Sequence, residues 1–372
     1  MTRLTMAAAA LSFVVASAAI HGQQPAPTLP EALDGVDVVI LVQQGKEVFG
    51  KSAYRSSHGN LDYLFSTAQT KAEFERAPEK YAAQFGGTCA RMGSTVSANP
   101  SDYVLHDGKI YLFGSDACRK AFTATPEKFI PRATTPWPAG DLADRGRALL
   151  DKAAAGHGGA AVDAARTYTA VVKTIQKRPT GDVTVIAKTM WRFPGSVRTD
   201  RIVPLANGGQ TFTSVFTPTG AWGSGMGRVA PAPPATEAAA RAAAFRSLLP
   251  ILKMRKDRTL KAAALEPATV NGVSVERVRV ALGQVDVTLH LDPASGRTHS
   301  MSYYERADEG HWADILITFE DYRTIGGVQV PFVENATANG VPSAQLTRTL
   351  DSAAINVPLD PALFVMPAGA SQ

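Results

Sequence analysis

Val285-Asp286-Val287-Thr288-Leu289-His290-Leu291 alternates apolar and polar side chains along its whole length. A strand turns successive side chains to opposite faces, so this pattern predicts a half-buried antiparallel strand. Segments of similar character lie on both sides. Tyr168 to Val172, Val183 to Ala187, Val197 to Val203, Thr211 to Thr217 and Gly272 to Ala281 precede it; Thr298 to Tyr304, Ala313 to Phe319 and Val328 to Glu334 follow. Val, Ile and Thr are frequent in them, as strands prefer. Two stretches read as helices. Leu142 to Ala155 carries an apolar face of Leu149, Leu150 and Ala153 to Ala155, and Gly156-His157-Gly158-Gly159 stops it. Thr236 to Leu249 is dense in Ala. The expected class is α+β, with a large curved antiparallel sheet and helices on one face over residues 143–369.

The preceding hundred or so residues contain an internal repeat. A shift of 48 positions lays His58 on His106, Tyr63-Leu64-Phe65 on Tyr111-Leu112-Phe113, Phe74 on Phe122 and Pro78-Glu79-Lys80 on Pro126-Glu127-Lys128. Each copy reads as a turn, a short aromatic strand and a helix of about two turns. Ser66-Thr67 and Ser115-Asp116 stand where a helix N-cap belongs. Pro78 and Pro126 end the helices, because proline disfavours helical angles at the residue before it. Two such units can bury one shared core where one alone is marginal.

The glycine turn, Tyr-x-Phe, the Cys five residues after that Phe, a further Phe and Pro-Glu-Lys-aromatic resemble the YHS domain. The resemblance covers residues 30–131, in copies of about 31–82 and 83–131. Metal-binding relatives carry an early Cys and a later Phe-Cys-Ser-x-x-Cys. Cys89 fits the early position, in Gly86-Gly87-Thr88-Cys89-Ala90-Arg91-Met92, and Cys118 the last one, in Phe113-Gly114-Ser115-Asp116-Ala117-Cys118. Gly114 replaces the middle Cys. On the 48-residue register the first copy has Leu41 and Thr70 where the second has Cys89 and Cys118. A structural zinc site wants four N or S ligands, and only two cysteines remain. Three readings stay open: a Cys89–Cys118 disulfide, a soft-metal site of the Cu(I) type with Met92 or His106 added, or two buried thiols.

The larger part resembles the LolA/LolB-like fold of bacterial outer-membrane lipoprotein-sorting proteins. The residues that carry the likeness are Gly158-Gly159, Leu291-Asp292-Pro293-Ala294-Ser295-Gly296-Arg297, Asp321-Tyr322-Arg323 with Gly326-Gly327, Pro331-Phe332, and Leu359-Asp360-Pro361-Ala362-Leu363-Phe364 with Pro367. Members of this fold enclose lipid chains between a curved sheet and its helices, so the resemblance implies an apolar, lipid-like or lipoprotein-like ligand. Gly220 to Pro234, rich in Gly and Pro around Trp222 and Met226, reads either as a lid over that ligand or as an ordinary connection.

Targeting and charge narrow the setting. Arg3, the apolar run Met6 to Val15 and the small residues Ala16-Ser17-Ala18 read as a signal peptide over residues 1–22, which places the chain in the periplasm or outside the cell. That run is too short to span a bilayer, and no later segment is long enough. Gln23 to Pro30 reads as a flexible lead-in, and Pro131 to Asp141, with three prolines, as a linker. The net charge of +5 is spread along 372 residues without a basic run, so nucleic acid is not an expected partner. There is no Gly-x-Ser-x-Gly elbow, His-Glu-x-x-His, phosphate loop or dinucleotide fingerprint. His290, His299 and His311 read as a solvated sheet face, and no catalytic residue is assigned. The function that emerges is a binding or carrier protein for an apolar ligand with an accessory YHS-like module; the alternative is a metal-handling protein using the second copy.

Overall fold

A computed structural model describes residues 29–367 apart from 139, 178–180, 206–207, 233 and 284. The signal peptide read at residues 1–22 lies outside the described residues. No helix among them is long and apolar enough to cross a membrane.

The N-terminal part begins with α1 (Val38–Gln44), followed by the hairpin β1 (Lys51–His58) and β2 (Leu61–Phe65), then α2 (Ala68–Arg76) and α3 (Pro78–Tyr81). The short strands β3 (Thr88–Cys89) and β4 (Gly93–Ser97) lead into a second hairpin, β5 (Asn99–His106) and β6 (Lys109–Phe113), and α4 (Asp116–Ala124). β1, β2 and α2 each start 48 positions before β5, β6 and α4. Thr67 caps α2 through the Thr70 amide at 3.1 Å, and Ser115 caps α4 through the Cys118 amide at 3.3 Å. Strand β6 joins two apolar clusters. Ile110 and Leu112 pack with the first copy, while Tyr111 and Phe113 pack with Cys89, Cys118, Phe122 and Phe129. The alternation of a strand's side chains makes this sharing possible.

The C-terminal part opens with α5 (Leu142–Gly156) and α6 (Ala160–Ala164). Six strands follow: β7 (Thr167–Gln176), β8 (Val183–Arg192), β9 (Ser196–Leu205), β10 (Gly208–Thr217), β11 (Gly220–Gly225) and β12 (Arg228–Pro231). After α7 (Pro234–Phe245) and α8 (Leu248–Met254) come β13 (Lys261–Val270), β14 (Val273–Leu282), β15 (Val285–Leu291), β16 (Thr298–Arg306), β17 (Trp312–Ile325), β18 (Val328–Ala338), β19 (Val341–Pro342) and β20 (Arg348–Ile355). Together the described strands form one 14-stranded sheet, in the order β12-β11-β10-β9-β8-β7-β20-β18-β17-β16-β15-β14-β13 with β19 beside β18. Every pairing in it is antiparallel. Two meanders therefore meet where the late strand β20 pairs with the early strand β7.

The structure departs from the sequence pattern at three places, one of them a strand that the pattern does not predict. Within Gly220 to Pro234, where the sequence predicts a lid or an ordinary connection, β11 pairs with β12. Lys261 to Val270 is Ala-rich yet is an edge strand, because α5 lies directly on it. A methyl group added to Gly146 of α5 would stand 2.5 Å from the Ala263 backbone. The helix expected to run to Leu249 ends at Phe245 and restarts as α8. Pro250 has no N–H to offer the Arg246 carbonyl, so a continuous helix is barred and the proline falls in the first turn of α8 instead.

The two parts touch along the β16–β17 hairpin. Arg306 donates to the carbonyls of Ala90 at 2.6 Å and Arg91 at 2.9 Å, and Trp312 donates to the Phe129 carbonyl at 3.0 Å. Arg132 makes a bidentate pair with Asp314 at 2.8 and 2.6 Å. Arg279 holds the Thr135 and Pro136 carbonyls at 3.1 and 3.0 Å, so the Pro-rich connector is fastened to the sheet.

Candidate functional site

The concave side of β7–β10 and β20 faces α7 and α8, leaving a cavity of about 450 Å³. The strand register arranges its wall in rows. Tyr168 pairs with Trp191, Trp191 with Val197, and Val197 with Phe216, which forms an aromatic row. The next row inward is Ala170, Thr189, Thr199 and Ser214. Leu350, Val172, Ala187 and Arg201 make the third. Glu334, Arg348, Thr174 and Val185 make the fourth. Opposite them stand Ala243 and Ala244 of α7 and Leu248, Leu249 and Leu252 of α8. The wall thus runs from an aromatic row at one end, through a row of small, mostly hydroxyl-bearing residues and a mainly aliphatic row that ends in Arg201, to a row with Glu334 and Arg348 at the other.

At the polar end, Glu334 and Arg348 are 3.7 Å apart, with 17% and 38% of their side chains exposed. Burial pushes the Glu334 carboxyl above its ordinary range, and Arg348 opposes this. Tyr303 is packed nearby; burial raises its hydroxyl pKa, with the charges of Arg348, Glu305, Arg246 and Glu334 around it. Arg246 is ion-paired with Glu305 and lies 5.2 Å over the Tyr303 ring.

At the aromatic end, the fully buried His157 ring bonds the Gln329 carbonyl through Nδ1 at 2.9 Å. Its Nε2 accepts from the Thr298 amide at 3.0 Å. These partners set the tautomer, with the proton on Nδ1. Burial, helped by Arg297, pushes the ring pKa down to about 4. Beyond the aromatic row, a second cavity of about 660 Å³ is bounded by Ala242, Phe245, Met254, Leu282 and Val285 with Glu237 and Arg241. Trp191 and Phe245, edge to face at 5.1 Å, stand between the two spaces.

The residues singled out from the sequence lie elsewhere. Trp222 is on β11, 7% exposed, packed with Met190, Val215 and Phe364 on the other side of the sheet. Met226 is 68% exposed in the turn that follows. Neither lines the cavity, and the lid reading of this segment gives way to a strand pair. Cys89 and Cys118 are both buried, unbonded to each other, and in one apolar cluster. Met92 is at the surface, its amide 3.5 Å from the Cys89 sulfur. His106 turns its ring edge onto Phe122 at 5.9 Å, as His58 does to Phe74 at 6.1 Å. Among the described residues no group of three or more His, Cys, Asp or Glu is placed to hold a metal ion. His290 is buried rather than solvated; it bonds Ser300 at 2.8 Å, and burial lowers its pKa to about 4.

The bridges also correct the alignment of the copies. Glu31 pairs with Asp62 as Ala83 pairs with Ile110, and Val36 pairs with Phe49 as Thr88 pairs with Ser97. The early segment is therefore offset by 52 positions and the later one by 48, so the first copy holds four extra residues, accommodated at α1. The counterpart of Cys89 is Asp37, not Leu41. Asp37 is fully buried and accepts from the Ser66 amide at 2.7 Å, its hydroxyl at 2.8 Å and the Thr70 hydroxyl at 2.8 Å. Asp37, Ser66 and Thr70 thus stand where the second copy has Cys89, Gly114 and Cys118. The first copy fills that place with a hydrogen-bonded carboxylate.

Sequence reasoning passed over Glu334 and Arg348. A carboxylate after Val330-Pro331-Phe332-Val333 was the available signal. Arg348 became legible only once β20 was seen to pair with β7.

No family model matches the chain, and no curated protein matches it. Among solved structures, the chain is similar to a DUF1329 family protein from Desulfovibrio piger, at 13% identity and a TM-score of 0.42 over 61% of this chain and 98% of that one. It is also similar to a LolA superfamily protein from Nitrosomonas europaea, at 10% identity and a TM-score of 0.42 over 59% of this chain and 97% of that one.

Proposed function

We propose that this protein binds a small apolar or amphiphilic molecule in the cavity between its sheet and α7–α8, and carries it outside the cytoplasm. The carrying observation is the asymmetric wall: an aromatic row at one end, a row with Glu334 and Arg348 at the other, and mostly small or apolar side chains between, with Arg201 at the edge of the third row. Ligand pockets of roughly 300–1,000 Å³ lined by apolar groups with a few polar ones are the usual form of a small-molecule site, and the cavity of about 450 Å³ falls in that range. The extracytoplasmic setting rests on the leader-like N-terminus. Residues 30–131 are read as an accessory YHS-like scaffold used twice, which the recurrence of hairpin and helix supports.

The test is uptake of a fluorescent fatty acyl probe by delipidated protein, followed through energy transfer from its four tryptophans, of which Trp191 lines the cavity. Saturable binding at one site is expected, and Ala170→Phe, which fills the second row, should weaken it at least about tenfold, a change of 1.4 kcal/mol. Absence of saturable uptake by the delipidated wild-type chain would overturn the reading.

A further inference from the structure

We infer that the polar end of the cavity selects an amphiphile with an anionic head, a carboxylate or a phosphate, and that Arg348 with Arg201 is the selecting element. The inference rests on the cavity being the binding site. Register places Arg348 in the fourth row on β20 and Arg201 in the third row on β9, with β7 and β8 between them, and both line the same cavity. The Arg348 guanidinium meets Glu334 only at 3.7 Å, beyond hydrogen-bond length, so its N–H groups remain available. Arg201 makes no side-chain hydrogen bond or ion pair among the described residues. The third guanidinium of the neighbourhood, Arg246, is ion-paired with Glu305 through Nη1, while its Nε is buried without a hydrogen-bond partner.

Charge then decides the sign of the head. The cavity is lined by two guanidinium groups, Arg348 and Arg201, and by a single carboxyl, Glu334, so its lining is net positive even when that carboxyl is ionised. Burial favours its neutral form, which makes the surplus larger and gives it a proton to donate. A cationic head would meet two like charges. An uncharged head would leave the Arg donors to water. A carboxylate or phosphate accepts two parallel bonds from one guanidinium, a geometry that arginine presents and lysine does not. Thr174 adds a hydroxyl in the same row.

The experiment uses the full, delipidated chain and four ligands with one tail: dodecanoate, dodecyl phosphate, dodecanol and dodecyltrimethylammonium, each titrated in competition with the acyl probe. Hydrogen bonds to a charged group contribute about 1.5–3 kcal/mol, so the two anions should bind roughly 10–100-fold tighter than the alcohol, with the ammonium weakest. Whichever anion binds tighter identifies the head. Arg348→Gln should collapse the anion-to-alcohol ratio, and Arg348→Lys should restore part of it. Arg201 is exposed, so Arg201→Gln tests the same ratio in a chain whose packing is undisturbed. Equal affinity for all four, or tightest binding of the ammonium, would overturn the head assignment while leaving the cavity as the site. Failure of all four and of the probe would remove the cavity reading itself.

Discussion

His157 shows how one side chain ties stability to pH. Its folded ring titrates at about 4, whereas an unfolded histidine titrates near 6.5. The unfolded chain therefore binds the proton first. The stabilisation is fully present above the unfolded pKa and is lost as pH falls from 6.5 toward 4. Its size is roughly 3 kcal/mol at 1.36 kcal/mol per unit. His290 is buried in the same state and adds a similar loss over the same interval. Denaturant melts at a series of pH values should show this decline in the wild type. In His157→Gln the decline between pH 6.5 and 4 should be smaller by roughly those 3 kcal/mol; an unchanged decline would exclude the ring as a source.

At the level of elements, α7 is a thin wall. Its Ala243 and Ala244 face the first cavity, while Ala242 and Phe245 face the second. Trp191 and Phe245 are the side chains that keep the spaces apart. Cutting Phe245 to Ala removes a buried ring, which costs about 3–5 kcal/mol in a typical core. It should also join the cavities, so that longer acyl chains gain affinity relative to short ones. A chain-length series titrated against Phe245→Ala and wild type checks this, and identical chain-length preference would show that the ring is no barrier. Pro250 carries the signal for the break between α7 and α8, but the Ala-rich pattern runs the expected helix on to Leu249. The strand at Ala262-Ala263-Ala264 was not, because alanine favours a helix until an external surface, here α5, supplies the packing.

The whole molecule depends on a small seam between its two parts. Arg306 crosses it from β16, and burial lowers its pKa only to about 10, so it stays charged at neutral pH. It satisfies the Ala90 and Arg91 carbonyls and stacks on Phe85 and Trp312 at 4.8 and 5.3 Å. Gly310 lies under the same contact, where an added methyl would stand 2.0 Å from the Arg91 carbonyl oxygen. Arg306→Ala leaves those carbonyls without their donor, at a cost of about 1–3 kcal/mol for each group left buried. Limited proteolysis should then cut the connector at residues 131–141 faster than in the wild type. Equal cleavage rates would mean that the remaining contacts, among them Arg132–Asp314, Trp312–Phe129 and Arg279 with the connector carbonyls, are enough to hold the parts together.

Local chemistry was enough to read some features from residues in order. The period-two strands, the glycine and proline stops, the N-caps at Thr67 and Ser115 and the 48-residue repeat all depend on neighbours within a few positions or on identical spacing. The candidate site does not. Glu334, Arg348, Thr174 and Arg201 lie on four different strands, and only the pairing of β20 with β7 and β18 brings them to one opening. The equivalence of Asp37 with Cys89 was hidden for a similar reason. Hydrogen-bonded bridges, not residue identity, reveal the four-residue insertion that separates the copies. Register between strands distant in the chain is set by the burial of whole faces, and that quantity exists only after the sheet has closed on its helices.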